Sequence, residues 1–201
     1  FGVNEKKNIK KEYELGHHIA VVVSAMSGTT NSLINYVNDV NMQNESEYDV
    51  VVSSGEQITS GLMSLALNRI GISSRSWQGW QLPILTYGSH KKAVIERIVP
   101  DKILEDFKEK KVAVISGFQG ISSDDRVTTI GRGGSDNTAV FLASALKADR
   151  CDIYTDVDGV YTSDPKITPK VKKLDRILYE EMIEMASQGA KVLQTTSVES
   201  A

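Results

Sequence analysis

One cysteine, Cys151, stands in 201 residues. That excludes a disulfide framework and a cysteine-based zinc cluster, and it fits a reducing compartment. Cys151 precedes an apolar segment and is expected to be buried and inert rather than nucleophilic. Histidine is also scarce. His17, His18 and His90 lie away from every predicted strand end, so each reads as solvated or structural and a histidine-based mechanism is not expected. No apolar run approaches the ~18 residues of a membrane span. No signal-peptide pattern is present either, so the expected compartment is the cytoplasm, with no membrane partner. Basic excess is missing too. Lys+Arg number 23 against 26 Asp+Glu, a net charge of −3, which argues against nucleic acid as a partner while leaving room for small anions at local basic sites. The sequence has no phosphate-binding GxxxxGK[ST] loop, no GxSxG nucleophile turn and no HExxH zinc helix.

What the chain does have is alternation. Ile19–Val23, Val50–Val52 and Val112–Ile115 are short, continuous, β-branched apolar runs, the pattern of buried parallel strands. Cys151–Tyr154 reads as a fourth, and Ser73–Trp77 as a short additional strand. Helical periods follow. Leu33, Ile34 and Val37 form one; Ile58, Leu62, Leu65 and Ala66 another; Ile103, Leu104 and Phe107 mark a helix over 101–110; Ala139, Leu142, Ala143 and Leu146 share a face, and Met182, Met185 and Ala186 mark the last helix. Residues 4–15 are charged and helix-like, with Gly16 as the C′ glycine. Residues 41–47, 78–90 and 116–120 read as loops, and 122–126 as a polar hairpin tip. Of Trp77, Trp80 and Pro83 at the 78–90 loop, the two aromatics are expected to pack in the core. The expected fold is α/β, a three-layer sandwich with a mainly parallel central sheet, and 1–201 reads as one domain.

Four predicted strands stop at small polar residues: Ser24, Ser53, Ser116 and Thr155. Strand C-termini of a parallel sheet share one edge, so these loops should converge on one site. The most distinctive of the stretches leading there is Thr128–Ala139, in which Gly131-Arg132-Gly133-Gly134-Ser135-Asp136 carries a strand into a helix. A bare backbone at a helix N-terminus binds anions, and Arg132 adds a planar cation suited to carboxylate or phosphate. The converging set would hold Ser24, Thr30, Glu56, Arg132, Ser135, Asp136, Asp156, Asp158, Asp164 and Lys191. Glycine turns, carboxylates and cations suit phosphoryl transfer, which needs positioned dipoles and Mg2+ more than a covalent nucleophile.

Five segments, in order, carry a closer likeness: Val21–Asn31, Ser53-Ser54-Gly55-Glu56, Gly117-Phe118-Gln119-Gly120, Thr128–Asp136 and Tyr154–Lys166. In them the chain resembles the aspartate kinases of the amino-acid kinase family. The resemblance implies an amino-acid kinase-like fold and an enzyme that transfers the γ-phosphoryl group of ATP, with Mg2+, to the β-carboxylate of L-aspartate. The product would be 4-phospho-L-aspartate, on the way to lysine, diaminopimelate, threonine and methionine. It also implies a homodimer. By the same resemblance Thr30 and Glu56 contact the substrate, Glu56 through its ammonium, and Arg132 pairs with the substrate α-carboxylate. Gly133, Gly134 and Ser135 line the substrate loop. Asp136 orients the substrate and the family's transferring-site lysine. The nucleotide falls to Gly2, Ser24, Thr155, Asp156, Tyr161, Thr162, Ser163, Asp164, Pro165, Lys166, Lys191 and Val192; no residue is assigned to a metal.

The sequence departs from the family in four places. The family's opening Lys-Phe-Gly-Gly-Thr-Ser-Val is represented by Phe1-Gly2-Val3 without its lysine, and the first helix is short. From this, residues are inferred to be missing before Phe1 and between Gly2 and Asn4. Lys166 stands where the family commonly has arginine, and Gln194-Thr195-Thr196 replaces a segment that ends in arginine. The family's regulatory ACT modules would lie beyond position 201. Two other readings stay open: a kinase of the same family for glutamate, N-acetylglutamate, carbamate or UMP, and a non-catalytic small-molecule-sensing domain of the same fold.

Overall fold

The computed structural model describes residues 3–41, 43–131, 133–154, 172–178 and 181. Among them the chain runs through helix α1 (Val3–Glu14), strand β1 (Ala20–Val23) and helices α2 (Thr29–Val40), α3 (Glu45–Val52) and α4 (Ser54–Arg69). Strands β2 (Ser74–Trp77), β3 (Ile84–Tyr87) and β4 (Val94–Ile98) follow, then helix α5 (Asp101–Lys108). Strands β5 (Val112–Ser116), β6 (Gln119–Ile121) and β7 (Val127–Thr129) lead into helix α6 (Gly134–Leu146).

The architecture is α/β around a parallel sheet in the order β1-β5-β2. All five residues of β5 are buried, the state its unbroken apolar run requires. Its side chains alternate between two helix layers. Val112 and Val114 pack with Met63 and Leu67 of α4 and with Ile9 and Tyr13 of α1, whereas Ala113 and Ile115 pack with Ile103, Phe107 and Leu142 of α5 and α6. Gly16, in the left-handed region at φ 84°, ends α1 as expected: its N–H donates to Tyr13 O, and that of His17 to Glu12 O.

Val50–Val52 is not a strand. It is the last turn of α3, and residues 45–47 are its first turn rather than loop. Asn44 explains the start, since its side chain accepts from the N–H groups of Ser46 (3.2 Å) and Glu47 (3.3 Å). Three β-branched residues cannot by themselves distinguish a buried strand from a buried helix turn. The face of α4 expected to be buried is the open one: Ile58 and Leu65 are 52% and 66% exposed. Its inner face carries Gly55, Glu56, Thr59, Ser60, Met63, Ser64 and Leu67. Small side chains let α4 lie close to the sheet, where Ser116 Oγ bonds Ser60 Oγ (2.9 Å) and Gln78 Oε1 (2.6 Å). An apolar stripe therefore marked the wrong side of this helix.

Of a second, mixed sheet, β4-β3-β6-β7, only β7 and the hairpin tip before it were legible. The 78–90 segment read as loop contains β3, and the turn after β5 runs directly into β6. A parallel bridge between Ala93 and Ile130 joins the two edges of this sheet at one end. The β6–β7 connection is the expected polar tip, closed by Ser122 N–H to Arg126 O at 2.9 Å. Trp77 packs against the core and donates to Asp106 Oδ2 (2.6 Å), but Trp80 is exposed. Residues 151–154 form no regular strand, and Cys151 is exposed rather than buried. Thr155, the last predicted helix and the segment around Lys191 lie outside the described residues, as do Phe1 and Gly2.

Gly120 sits where sheet pairing leaves no room. An added Cβ would lie 2.4 Å from Thr86 Cγ2 and 2.5 Å from the backbone oxygen of Ile84. Backbone cannot step aside cheaply, so Gly120→Ala should destabilise the protein by on the order of 3 kcal/mol. Urea unfolding checks this, and a loss under about 1 kcal/mol would show that β3 and β6 can separate without cost.

Candidate active site

Three helices begin at the carboxyl edge of the parallel sheet. Gly28 caps α2 at φ 78° and Gly133 caps α6 at φ 70°, both left-handed and neither with a side-chain cap. First-turn amides at these ends are left for a ligand or solvent. Between them lies a cleft of about 220 Å³ lined by Ser24, Thr30, Glu56, Phe118, Gly131, Gly133, Gly134, Ser135 and Asp136. Close packing beneath it depends on Gly117, just past β5. A Cβ there would fall 2.7 Å from Ser135 Oγ and 2.9 Å from Val22 Cγ1.

Glu56, in the first turn of α4, is 3% exposed. Its Oε1 accepts from the N–H of Ala25 (3.0 Å), which ties α4 to the loop after β1. Its Oε2 is buried with no hydrogen-bond partner among the described residues. Burial pushes its carboxyl up to about 7, against the smaller lowering effect of the Ala25 hydrogen bond. An unpartnered acid at this depth costs free energy whenever it is ionised. The sign follows from proton uptake. Between its ordinary value near 4.5 and about 7 the folded state holds a proton that the unfolded state has released. Stability of the ligand-free protein should therefore be highest at the acid end of that window and fall toward pH 7, by up to about 3 kcal/mol from this group. Thermal melts across pH 5–8 with no ligand present check the direction.

Asp136, in the first turn of α6, is partly buried at the same cleft, and desolvation raises its carboxyl as well. Two carboxylates and two bare helix ends thus face one small space. That arrangement can hold a molecule carrying both an ammonium and an anionic group.

Of the residues singled out from sequence, the structure brings together Ser24, Thr30, Glu56, Gly133, Gly134, Ser135 and Asp136. Ser24, assigned to the nucleotide, shares the cleft with Glu56. Ser53 is a helix–helix junction behind it, and Ser116 is buried under α4. Gly2, Arg132, Thr155, Asp156, Asp158, Tyr161, Thr162, Ser163, Asp164, Pro165, Lys166, Lys191 and Val192 lie outside the described residues. The histidines stand apart, as expected: His18 stacks on Phe107, His17 bonds Glu12 and His90 bonds Asp49. Phe118 was missed. It holds φ 63°, unusual for a bulky residue, with its N–H donating to Thr138 Oγ1 (3.3 Å) and its C=O accepting from Ile130 N–H (2.9 Å). Its place between Gly117 and Gln119-Gly120 was the available signal.

Fold and cleft together define an α/β protein with a small polar cleft at the carboxyl edge of a parallel sheet. The chain belongs to the Amino acid kinase family, which matches residues 6–201. It is 52% identical over 194 residues to an aspartate kinase of Pseudomonas putida, covering 96% of this chain and 47% of that protein. Among solved structures it is similar to aspartate kinase from Synechocystis, with TM-score 0.80 and 39% identity over 98% of this chain and 33% of that one. It is also similar to E. coli aspartokinase III in complex with aspartate and ADP, with TM-score 0.82 and 25% identity over 100% of this chain and 57% of that one. The chain spans about half the length of the curated relatives it matches.

Proposed function

We propose that residues 1–201 are the catalytic domain of an aspartate kinase, which transfers the γ-phosphoryl group of ATP to the β-carboxylate of L-aspartate. The observation that carries this reading is the buried, unpartnered Oε2 of Glu56 in a cleft ringed by helix N-termini. An α-ammonium would supply the missing partner and the α-carboxylate would take the amides of the Gly133–Ser135 turn, with Arg132 as its charged clamp. The similar P. putida protein carries the name, and the E. coli structure holds aspartate and ADP.

In this reading Glu56 and Arg132 fix the amino acid by its two α-substituents, so that its side-chain carboxylate is presented for transfer. Thr30 and Ser135 add hydroxyls at the cleft wall, and Asp136 orients the substrate and a transferring-site lysine. The nucleotide side falls to the Thr155–Lys166 segment with Lys191 and Val192. Mg2+ would be held mainly by the nucleotide phosphates. Bound there, the ion would neutralise charge on the phosphate oxygens. The full-length protein would act as a cytoplasmic homodimer at the entry to lysine, diaminopimelate, threonine and methionine synthesis.

The test is trapping of the acyl phosphate as its hydroxamate, using full-length protein with ATP, Mg2+ and a panel of acidic amino acids. Product with aspartate and not with glutamate supports the reading. Product with glutamate but not aspartate overturns it, and none with any acceptor points to a sensing domain.

A further inference from the structure

Asp49, in the middle of α3, is 0% exposed, yet its carboxylate is no part of the cleft. Three donors from two other segments converge on it. Oδ1 accepts from Thr129 Oγ1 (2.6 Å), at the end of β7. The N–H of Lys91 reaches both oxygens, at 3.1 and 3.2 Å, and His90 Nδ1 lies 2.7 Å from Oδ2. Lys91 takes a left-handed φ of 66° in doing so, a conformation a lysine holds only when its surroundings impose it. The tip of the β3–β4 hairpin is thus drawn onto α3.

Each tied segment runs into the cleft. Two residues past Thr129 comes Gly131, the first cleft residue of the Gly131–Asp136 loop. The hairpin tip is joined to the same place from the other side: Ala93 N–H donates to Thr129 O (3.0 Å), and Lys92 Cα lies 4.0 Å from the position a Cβ would take on Gly131. In the other direction Ser53 N–H bonds Asp49 O (3.0 Å) one turn later, Gln119 Nε2 pins Ser53 O (3.0 Å), and α4 begins with Glu56 in its first turn. One buried carboxylate therefore stands between the helix that delivers Glu56 and the loop that delivers Ser135 and Asp136.

We infer that Asp49 is a positioning residue of the active site, fixing the Gly131–Asp136 loop relative to Glu56 through Thr129 and the hairpin tip at His90–Lys91. This rests on the aspartate kinase reading only for which substrate feels the displacement. A shift of about an ångström between two halves of a binding site can cost up to 100-fold in rate without touching the reacting atoms.

The experiment compares Asp49→Asn with Asp106→Asn in the full-length protein. Asp106 is equally buried (1% exposed), accepts from Trp77 Nε1 and pairs with Arg75 (3.1 Å), and it does not line the cleft. Both variants should lower the melting temperature. Only Asp49→Asn should raise the KM for aspartate about tenfold or more while leaving that for ATP within about twofold. It alone should also speed hydrogen exchange at the amides of Ile130 and Asn137 by more than about tenfold, with Val114 on β5 unchanged. If Asp49→Asn behaves like Asp106→Asn in both readouts, Asp49 is merely structural and the inference fails. Should Asp49→Asn not fold, Thr129→Val and His90→Ala each remove one donor and face the same readouts; no change in either variant also overturns it. Exchange needs no substrate, so failure of the aspartate reading, seen as wild-type protein inactive with aspartate, stays distinct.

Discussion

Replacing Glu56 by Gln should make the ligand-free protein more stable at pH 8 and nearly useless with aspartate. Gln keeps the shape and can still accept from the N–H of Ala25 through its oxygen. What it removes is a charge that burial disfavours, in a carboxyl raised to about 7. At pH 5 wild-type Glu56 is protonated in the folded state but mostly ionised in the unfolded one, so the variant should gain only about 1 kcal/mol or less. At pH 8 the variant should gain up to about 3 kcal/mol, the cost of holding an ionised carboxylate there. Acceptor binding moves the other way. An α-ammonium facing a neutral amide loses its charged partner in a dry site, and the KM for aspartate should rise about 100-fold or more. Wild-type affinity for aspartate should itself weaken by about tenfold per unit below pH 7, since binding must then expel a proton from Glu56, and the variant should lose that dependence. Melting curves and acceptor kinetics at both pH values check the pair of effects. A variant that is less stable at pH 8, or that binds aspartate as wild type does, would remove Glu56 from the site.

Asp136→Asn should leave the fold intact and stop the chemistry. Asp136 sits three residues after the Gly133 cap, where an anion gains from the helix dipole, so the substitution should cost at most about 1 kcal/mol of stability. Its partly buried carboxylate faces the cleft beside the helix ends expected to hold the amino acid. If it orients the substrate and the cation that meets the transferred phosphoryl group, its charge matters most in the transition state. kcat should fall by about 100- to 1,000-fold, with the KM for aspartate changed less than about threefold. A kcat within about threefold of wild type would mean that Asp136 serves α6 and not the reaction.

The two variants differ in kind, and the geometry says why. Glu56 is deep, with Oε1 held by one backbone donor and Oε2 without a partner among the described residues, so its charge is a burden until a cation arrives. Asp136 is shallower and shares the favourable end of a helix, so removing its charge costs the fold little.

Sequence by itself determined the elements whose residues state their own environment. The unbroken Val112–Ile115 run reads as a doubly covered strand, and β5 is buried along its whole length. Gly16 and Gly133 stand where the backbone turns left-handed, a choice local sterics make before any packing. Strand direction placed Ser24, past the end of β1, at the cleft, whereas Ser135 and Asp136 reach it from β7 of the mixed sheet. Tertiary structure decided what depends on distant partners. Val50–Val52 is helical because Asn44 caps α3 and Asp49 finds its donors 41 to 80 residues away, at His90, Lys91 and Thr129. The inner face of α4 is its small and polar one because Ser116 and Gln78 await it there, which no apolar period reveals. Glu56 was identifiable as a first-turn acid, but its missing partner and displaced carboxyl are properties of the space around it. Spacing along a chain encodes local geometry; it does not encode which polar groups the folded chain leaves without water or a partner.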